Sequence, residues 1–304
     1  MPQAPSGRKE MHWRAPLPSS AGDSRLKDGR MTPRPWTRRE ALLRLSATSL
    51  LSLGLWPGCQ SPGANAGAGR RFRFIVVNDL HHASAACDPW FAALVRQMKT
   101  HARIDFTLVL GDLADTAEPA SHAAIRDHFS ALGHPYFVQI GNHDHRSAGD
   151  RSSYEQTFPG RLNYQFDHEG WQFLGLDSTE GTQADRTQVQ PATLGWLDDR
   201  LRRLDRRRPA VVFTHFPLGA GVKMAPLNSE AVLNRFRDFN LQGVFSGHYH
   251  AYTLRQSGAA DVLTNRCCSR VRGNHDQSRE KGYWLMTAEA GRVTREFVEF
   301  NGGV

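Results

Sequence analysis

The sequence predicts an α/β protein built as a four-layer α/β/β/α sandwich, two mixed sheets flanked by helices. Three observations carry this reading. From Arg71 onward, short apolar runs alternate with amphipathic stretches of helical period. The early runs each stop at Gly, Asn or Asp, where a strand gives way to a loop. In the last part of the chain closely spaced strands replace the helices, so parallel units are followed by antiparallel ones and a second sheet is required.

Phe72–Val77 reads as a continuous buried strand ending at Asn78-Asp79. In Pro89–Thr100, Trp90, Phe91, Leu94, Val95 and Met98 recur at helical spacing. Phe106–Leu110 is a second buried strand, broken by Gly111. Ser121–Leu132 is a helix with Ala124, Ile125, His128 and Phe129 on one face, and Tyr136–Ile140 is a third strand, stopped by Gly141-Asn142. This rhythm implies a parallel sheet with functional loops at the strand C-termini. Asn163–His168 and Trp171–Asp177 then form a strand pair turned by Glu169-Gly170. Leu194–Leu204 is a helix, Ala210–His215 a strand, Ser229–Phe239 a helix and Leu241–Ser246 a buried strand. Tyr252–Gln256, Ala260–Thr264, Tyr283–Thr287 and Val293–Phe300 read as antiparallel strands.

The chain of 304 residues divides by composition. Residues 1–30 are polar and rich in Pro and Gly, a disordered or spurious extension, with Met31 as an alternative start to Met1. Residues 31–66 read as an export signal: Thr37-Arg38-Arg39-Glu40-Ala41-Leu42-Leu43 resembles the twin-arginine signature, and a moderately apolar run follows from Leu45 to Leu55. That run is shorter than the roughly 18 residues of a membrane span. Two exits follow it: cleavage after Ala64-Asn65-Ala66, or lipid attachment at Cys59. The expected destination is accordingly the periplasm, free or as a membrane-anchored lipoprotein. Residues 70–304 form a single domain.

The net charge of +8 belongs mostly to the leader: residues 1–70 hold 11 Lys/Arg against 4 Asp/Glu, leaving the rest nearly balanced. A nucleic-acid partner wants a basic face on the domain itself and is not favoured. The arginines at 202–203 and 206–208 read as the solvated face and end of a helix. Four cysteines without a C-x-x-C pair exclude a disulfide scaffold and a structural zinc knuckle; Cys87 either bridges to Cys267 or Cys268 or stays a buried thiol.

The chemistry lies in five short motifs: Asp79-Leu80-His81, Gly111-Asp112-Leu113-Ala114-Asp115, Gly141-Asn142-His143-Asp144, Thr214-His215 and Gly247-His248-Tyr249-His250. Each sets carboxylate, amide or imidazole donors where a strand ends. Asp79 and His81 are two apart, as are His248 and His250, which in extended chain puts both side chains on one side roughly 6.5–7 Å apart. Two metals in a hydrolase lie about 3.5–4 Å apart, so these pairs either converge on one ion or divide between two. One carboxylate must bridge the ions, and Asp112 is the natural choice. Asn142 adds a neutral oxygen and His215 a nitrogen. Mixed N/O donors without thiolate suit Fe, Mn or Zn as two divalent or trivalent ions.

This constellation resembles the calcineurin-like metallophosphoesterases over nearly all of residues 72–300 and is closest to exported relatives of the bacterial class III cyclic nucleotide phosphodiesterases. Asp115 stands where purple acid phosphatases carry a Tyr ligand, which argues against that branch. The resemblance implies the metallophosphoesterase fold and a small phosphoester substrate. It implies that Asp79, His81, Asp112 and His250 hold one metal, and that Asp112, Asn142, His215 and His248 hold the other. It further implies that a metal-bridging hydroxide attacks phosphorus and that His143, held by Asp144, is the catalytic acid. It also implies that Asp115 orients a ligand from behind. A phosphodiesterase is favoured, with a phosphomonoesterase or a catalytically silent metal-binding scaffold as alternatives.

The remaining histidines divide in two. His101, His122, His134 and His168 read as exposed or as satisfied partners, while His82 and His145 adjoin motif residues and are candidates for substrate contact. Gly273-Asn274-His275-Asp276 repeats the Gly-Asn-His-Asp string without an apolar strand before it and reads as no metal site. Tyr154, Phe158, Phe216 and Tyr249 either stack on substrate or belong to the core.

Overall fold

In a computed structural model, which describes residues 70–302, the strands sort into two sheets. The export-signal motif, Cys59 and Ala66 lie outside the described residues. The first sheet has the order β11-β10-β1-β2-β3, with β1 Phe72–Val77, β2 Phe106–Leu110, β3 Tyr136–Gln139, β10 Gly282–Glu289 and β11 Arg292–Glu299. The second has the order β4-β5-β6-β7-β9-β8, with β4 Tyr164–His168, β5 Trp171–Leu176, β6 Ala210–Thr214, β7 Leu241–Ser246, β8 Thr253–Ser257 and β9 Ala260–Thr264. Both sheets are mixed. β1, β2 and β3 run parallel while β10 meets β1 antiparallel. β5, β6 and β7 are parallel, flanked by antiparallel β4.

Strand alternation explains the four layers. Phe72, Phe74 and Val76 of β1 face the second sheet, where they pack with Phe106, Phe173, Phe213 and Phe245 in an aromatic-rich central core. The intervening Ile75 and Val77 face the other way, onto α1 (Asp88–Met98) and α2 (Pro119–Ser130) through Phe91, Leu94, Ile125 and Phe129. On the far side, Leu174, Val212 and Val244 of the second sheet pack on Leu197 of α4 (Pro191–Leu201) and on Val232 and Leu233 of α5 (Ser229–Asn234). The central strands of each sheet are thus buried on both faces, which is why β1, β2, β5, β6 and β7 read as apolar runs, while the edge strands β8 and β11 are partly exposed.

Three expectations change. β9 pairs antiparallel with β8 and parallel with β7, so the C-terminal strands are not a purely antiparallel set. A short helix α3 (Ser152–Thr157) follows β3 where no periodicity announced one; six residues are too few to show a helical stripe. The helix expected over Ser229–Phe239 stops at Asn234 and gives way to tight turns. Tyr154, Phe158 and Phe216 are buried core, and only Tyr249 of the four aromatics keeps partial exposure. Cys87, Cys267 and Cys268 are buried free thiols, so no bridge forms among them.

Candidate metal centre

Parallel strands deliver their C-terminal ends to one edge, and both sheets contribute. Asp79 and His81 follow β1, Asp112 follows β2, and Asn142 and His143 follow β3. His215 follows β6, and His248 and His250 follow β7. The loops after β1 and β2 are laced together, with the Asp79, His81 and His82 amides donating to the Gly111, Asp112 and Leu113 carbonyls at 3.2, 2.9 and 3.0 Å.

The expected extended pairs are not extended. Asp79, His81, Asp112, His248 and His250 all sit at positive φ, 45° to 64°. This region is disfavoured for residues with a Cβ, and Asp and His in it mark places where tertiary structure overrules the backbone. Leaving the sheet in left-handed turns folds each pair of donors inward over a short stretch of chain. Close approach also explains two motif glycines: a Cβ on Gly141 would collide with the Asp112 carboxylate and amide, and one on Gly247 with the Asp79 carboxylate and Asn78.

Among the described residues, two groups of donors share Asp112: Asp79, His81, Asp112 and His250, and Asp112, His215 and His248. All six are at least nine-tenths buried. Asp112 lies between them, Oδ2 3.5 Å from His81 Nε2 and Oδ1 3.3 Å from His215 Nε2. His250 Nε2 lies 3.2 Å from both Asp79 Oδ1 and His81 Nε2. Asn142 Oδ1 joins the second group, 3.2 Å from His215 Nε2.

The outer ring nitrogens are tied down, which fixes what faces inward. His215 Nδ1–H donates to the Leu110 carbonyl at 2.9 Å and His250 Nδ1–H to the Gly273 carbonyl at 3.0 Å. His81 Nδ1 faces Asp115 Oδ1 at 3.2 Å. His248 Nε2–H donates to the Ala184 carbonyl at 2.7 Å, leaving Nδ1 as its free donor.

The donor set fits resident cations. Burial opposes a charge on His250, yet Asp79 outweighs it and pushes the imidazole up to about 11. His215 is likewise disfavoured by burial but raised to about 9 by Asp112 and Asp79. Burial works to raise both carboxylates, and the facing imidazoles bring Asp79 down to about 2 and Asp112 well below its ordinary value. His248 drops to about 4, through burial and then the positive His215. The cluster therefore favours positive charge between its buried carboxylates, and a bound divalent ion would take the place of those protons. With N and O donors only, it suits borderline ions such as Zn, Mn or Fe.

Asp144 and His143 depart from expectation. The Asp144 carboxylate is fully buried and does not hold the His143 ring. It accepts the amides of Gly141 (2.9 Å), Leu113 and Ala114 (3.0 Å each) and lies 3.0 Å from His122 Nε2. It sits in a single 3-10 turn, Asn142–Asp144, that bends its side chain back onto the loop after β2. His143 is instead oriented by the main chain of Asp115, its Nδ1–H donating to the carbonyl at 2.7 Å. His122, read from sequence as exposed or a satisfied partner, is the latter: it is buried against Asp144, and its Nδ1 meets Ser153 Oγ at 2.7 Å.

The donors open into a cavity of about 410 Å³, whose outer wall includes His143, Met224, Arg272, Asn274 and His275. The 273–276 string holds no donor of the two groups, yet it leans over the centre, its His275 ring stacked on His250 at 5.1 Å. His82 pairs with Asp88 at 3.1 Å and His145 with Thr179 at 2.9 Å; neither lines the cavity.

The sequence profile described as Calcineurin-like phosphoesterase matches residues 72–252. A Synechococcus protein named as a probable cyclic nucleotide phosphodiesterase is 28% identical over 168 residues, 52% of this chain and 63% of that protein, so the match spans less than two thirds of that relative. A Psychrobacter arcticus protein with the same kind of name is 26% identical over 256 residues, 72% of this chain and 90% of that protein. Among solved structures, a purple acid phosphatase from yellow lupin seeds overlays with a TM-score of 0.55 at 15% identity, over 77% of this chain and 52% of that one, a likeness of fold. The profile covers more than half of the chain and ends just past the last donor, His250. The chain belongs to the calcineurin-like phosphoesterase family, hydrolases of phosphoric esters.

Proposed function

We propose that the protein is a phosphodiesterase that works with two metal ions, with cyclic nucleotides the first substrate class to test. One observation carries the dinuclear reading: Asp112 belongs to both donor groups, the arrangement two cations need to sit side by side. The names of the Synechococcus and Psychrobacter relatives support the choice of a diester. Asp79, His81, Asp112 and His250 would hold one ion, and Asp112, Asn142, His215 and His248 the other. Bound there, two cations would supply a water of lowered pKa as nucleophile near neutral pH and would offset the phosphate's charge.

The protein supplies position and protons. With Nδ1 committed to the Asp115 carbonyl, His143 keeps Nε2 for the cavity, where as an imidazolium it would give a proton to the departing alkoxide. The buried carboxylates and imidazoles fix charge in a low-dielectric site before substrate arrives. Export through residues 31–66 is part of the same proposal, since metals inserted before export would be protected from competing ions outside.

The test is turnover by the full chain loaded separately with Mn, Fe and Zn, offered bis-p-nitrophenyl phosphate, p-nitrophenyl phosphate and a panel of 2′,3′- and 3′,5′-cyclic nucleotides. The expected result is metal-dependent hydrolysis favouring the diesters. Preference for the monoester would replace the proposal with a phosphatase, and no turnover by the two-metal protein would replace it with a scaffold.

A further inference from the structure

The family profile ends at residue 252, yet part of the cavity wall comes from beyond it, in the segment between β9 and β10. Arg272 is the notable side chain there. Its Nε–H donates to Asp115 Oδ1 at 2.6 Å, and neither terminal amino group has a partner among the described residues. The side chain lines the cavity and is 43% exposed. A guanidinium held by Nε and free at both terminal nitrogens is set up for two parallel hydrogen bonds to an oxyanion.

The surrounding backbone is fixed. The Arg272 amide donates to Ser269 Oγ at 3.1 Å, and Lys281 Nζ donates to the Arg272 carbonyl at 2.6 Å. The next carbonyl, Gly273, accepts from the donor histidine His250, and the His275 amide donates to the His250 carbonyl at 3.1 Å. Asp115 is the common anchor. Its carboxylate faces His81 and Arg272, and its main-chain carbonyl takes His143. A metal donor, the proton-transferring histidine and a free guanidinium fork are thereby referenced to one residue.

We propose that Arg272 is the phosphate clamp of this site, its two terminal amino groups binding non-bridging oxygens of the substrate's phosphate while Asp115 holds it in register. This rests on the phosphoesterase reading for its substrate, but it is testable without turnover. Inorganic phosphate is the probe, titrated calorimetrically into the metal-loaded full chain, with metal content measured on the same samples. Arg272→Gln removes the charge, and Arg272→Lys keeps the charge without the fork. The expected result is that phosphate binding weakens about ten- to a hundredfold in Arg272→Gln, the worth of a charge-assisted pair. Arg272→Lys should recover only part of it, and both variants should keep the wild-type metal content. Phosphate binding within twofold of wild type in both variants would overturn the proposal. So would a loss of binding that tracks a loss of metal, because Arg272 would then act only by bracing Asp115 behind His81. The two readings fail separately: Arg272-dependent phosphate binding in a protein that cleaves no diester sinks the phosphodiesterase and keeps the clamp. Diester turnover with phosphate binding indifferent to Arg272 does the reverse.

Discussion

Asp112→Asn should lower kcat/KM on bis-p-nitrophenyl phosphate at least about a thousandfold, roughly 4 kcal/mol of transition-state stabilisation. Asp112 is 1% exposed and joins the group of Asp79, His81 and His250 to the group of His215 and His248. Asn has the same shape, and its amide oxygen can still accept the His143 amide that Asp112 Oδ1 accepts at 2.9 Å. The loops therefore keep their places and the fold survives. What disappears is the negative charge between His81 and His215 that lets two cations approach one another. Bound metal should fall from two ions to one or fewer, measured by elemental analysis beside the kinetics. Turnover within tenfold of wild type with two metals retained would show that Asp112 is not the shared ligand.

Asp144→Ala should be the most damaging change to stability near the site without removing a metal donor. Its carboxylate is fully buried and serves the amides of Gly141, Leu113 and Ala114 together with His122 Nε2. Alanine removes the shared partner of all four. Breaking a buried charged hub of this kind costs about 3–5 kcal/mol, which for a domain of this size lowers Tm by ~10 °C or more. Thermal unfolding followed by circular dichroism checks it, and a fall under about 2 °C would contradict the assigned role. Activity should fall as well, because Asp144 ties the loop carrying Asn142 and His143 to the loop carrying Asp112.

Much of this was legible in the sequence because the physics is local. Phe72–Val77, Phe106–Leu110, Leu241–Ser246 and Ala260–Thr264 have the bounds expected from apolar runs ended by turn residues. Doubly buried strands announce themselves in this way. The candidate donors were visible because His and Asp at strand ends are chemically conspicuous, and the structure brings Asp79, His81, Asp112, His215, His248 and His250 into two groups sharing Asp112. What could not be read is what depends on backbone sign and on long-range pairing. Spacing alone suggested extended Asp79–His81 and His248–His250 pairs, whereas the left-handed φ values come from loops laced to one another. Adjacency in sequence suggested that Asp144 holds His143, but a single 3-10 turn sends the two side chains in different directions. His122 and Arg272 lie 22 and 157 residues from their carboxylate partners, and nothing local marks either. The duplicated Gly-Asn-His-Asp string was a visible signal for the second of them. Lacking a strand before it, it contributes no donor, and it nonetheless forms the cavity wall.

The proposed function places two cations side by side across Asp112. Anomalous X-ray diffraction from crystals of the Mn- or Zn-loaded protein, collected at the metal absorption edge, tests it most directly. Two peaks are expected about 3.5–4 Å apart, one among Asp79, His81 and His250 and the other among Asn142, His215 and His248, with the Asp112 carboxylate touching both. A single peak, or two peaks of which Asp112 touches only one, would contradict it.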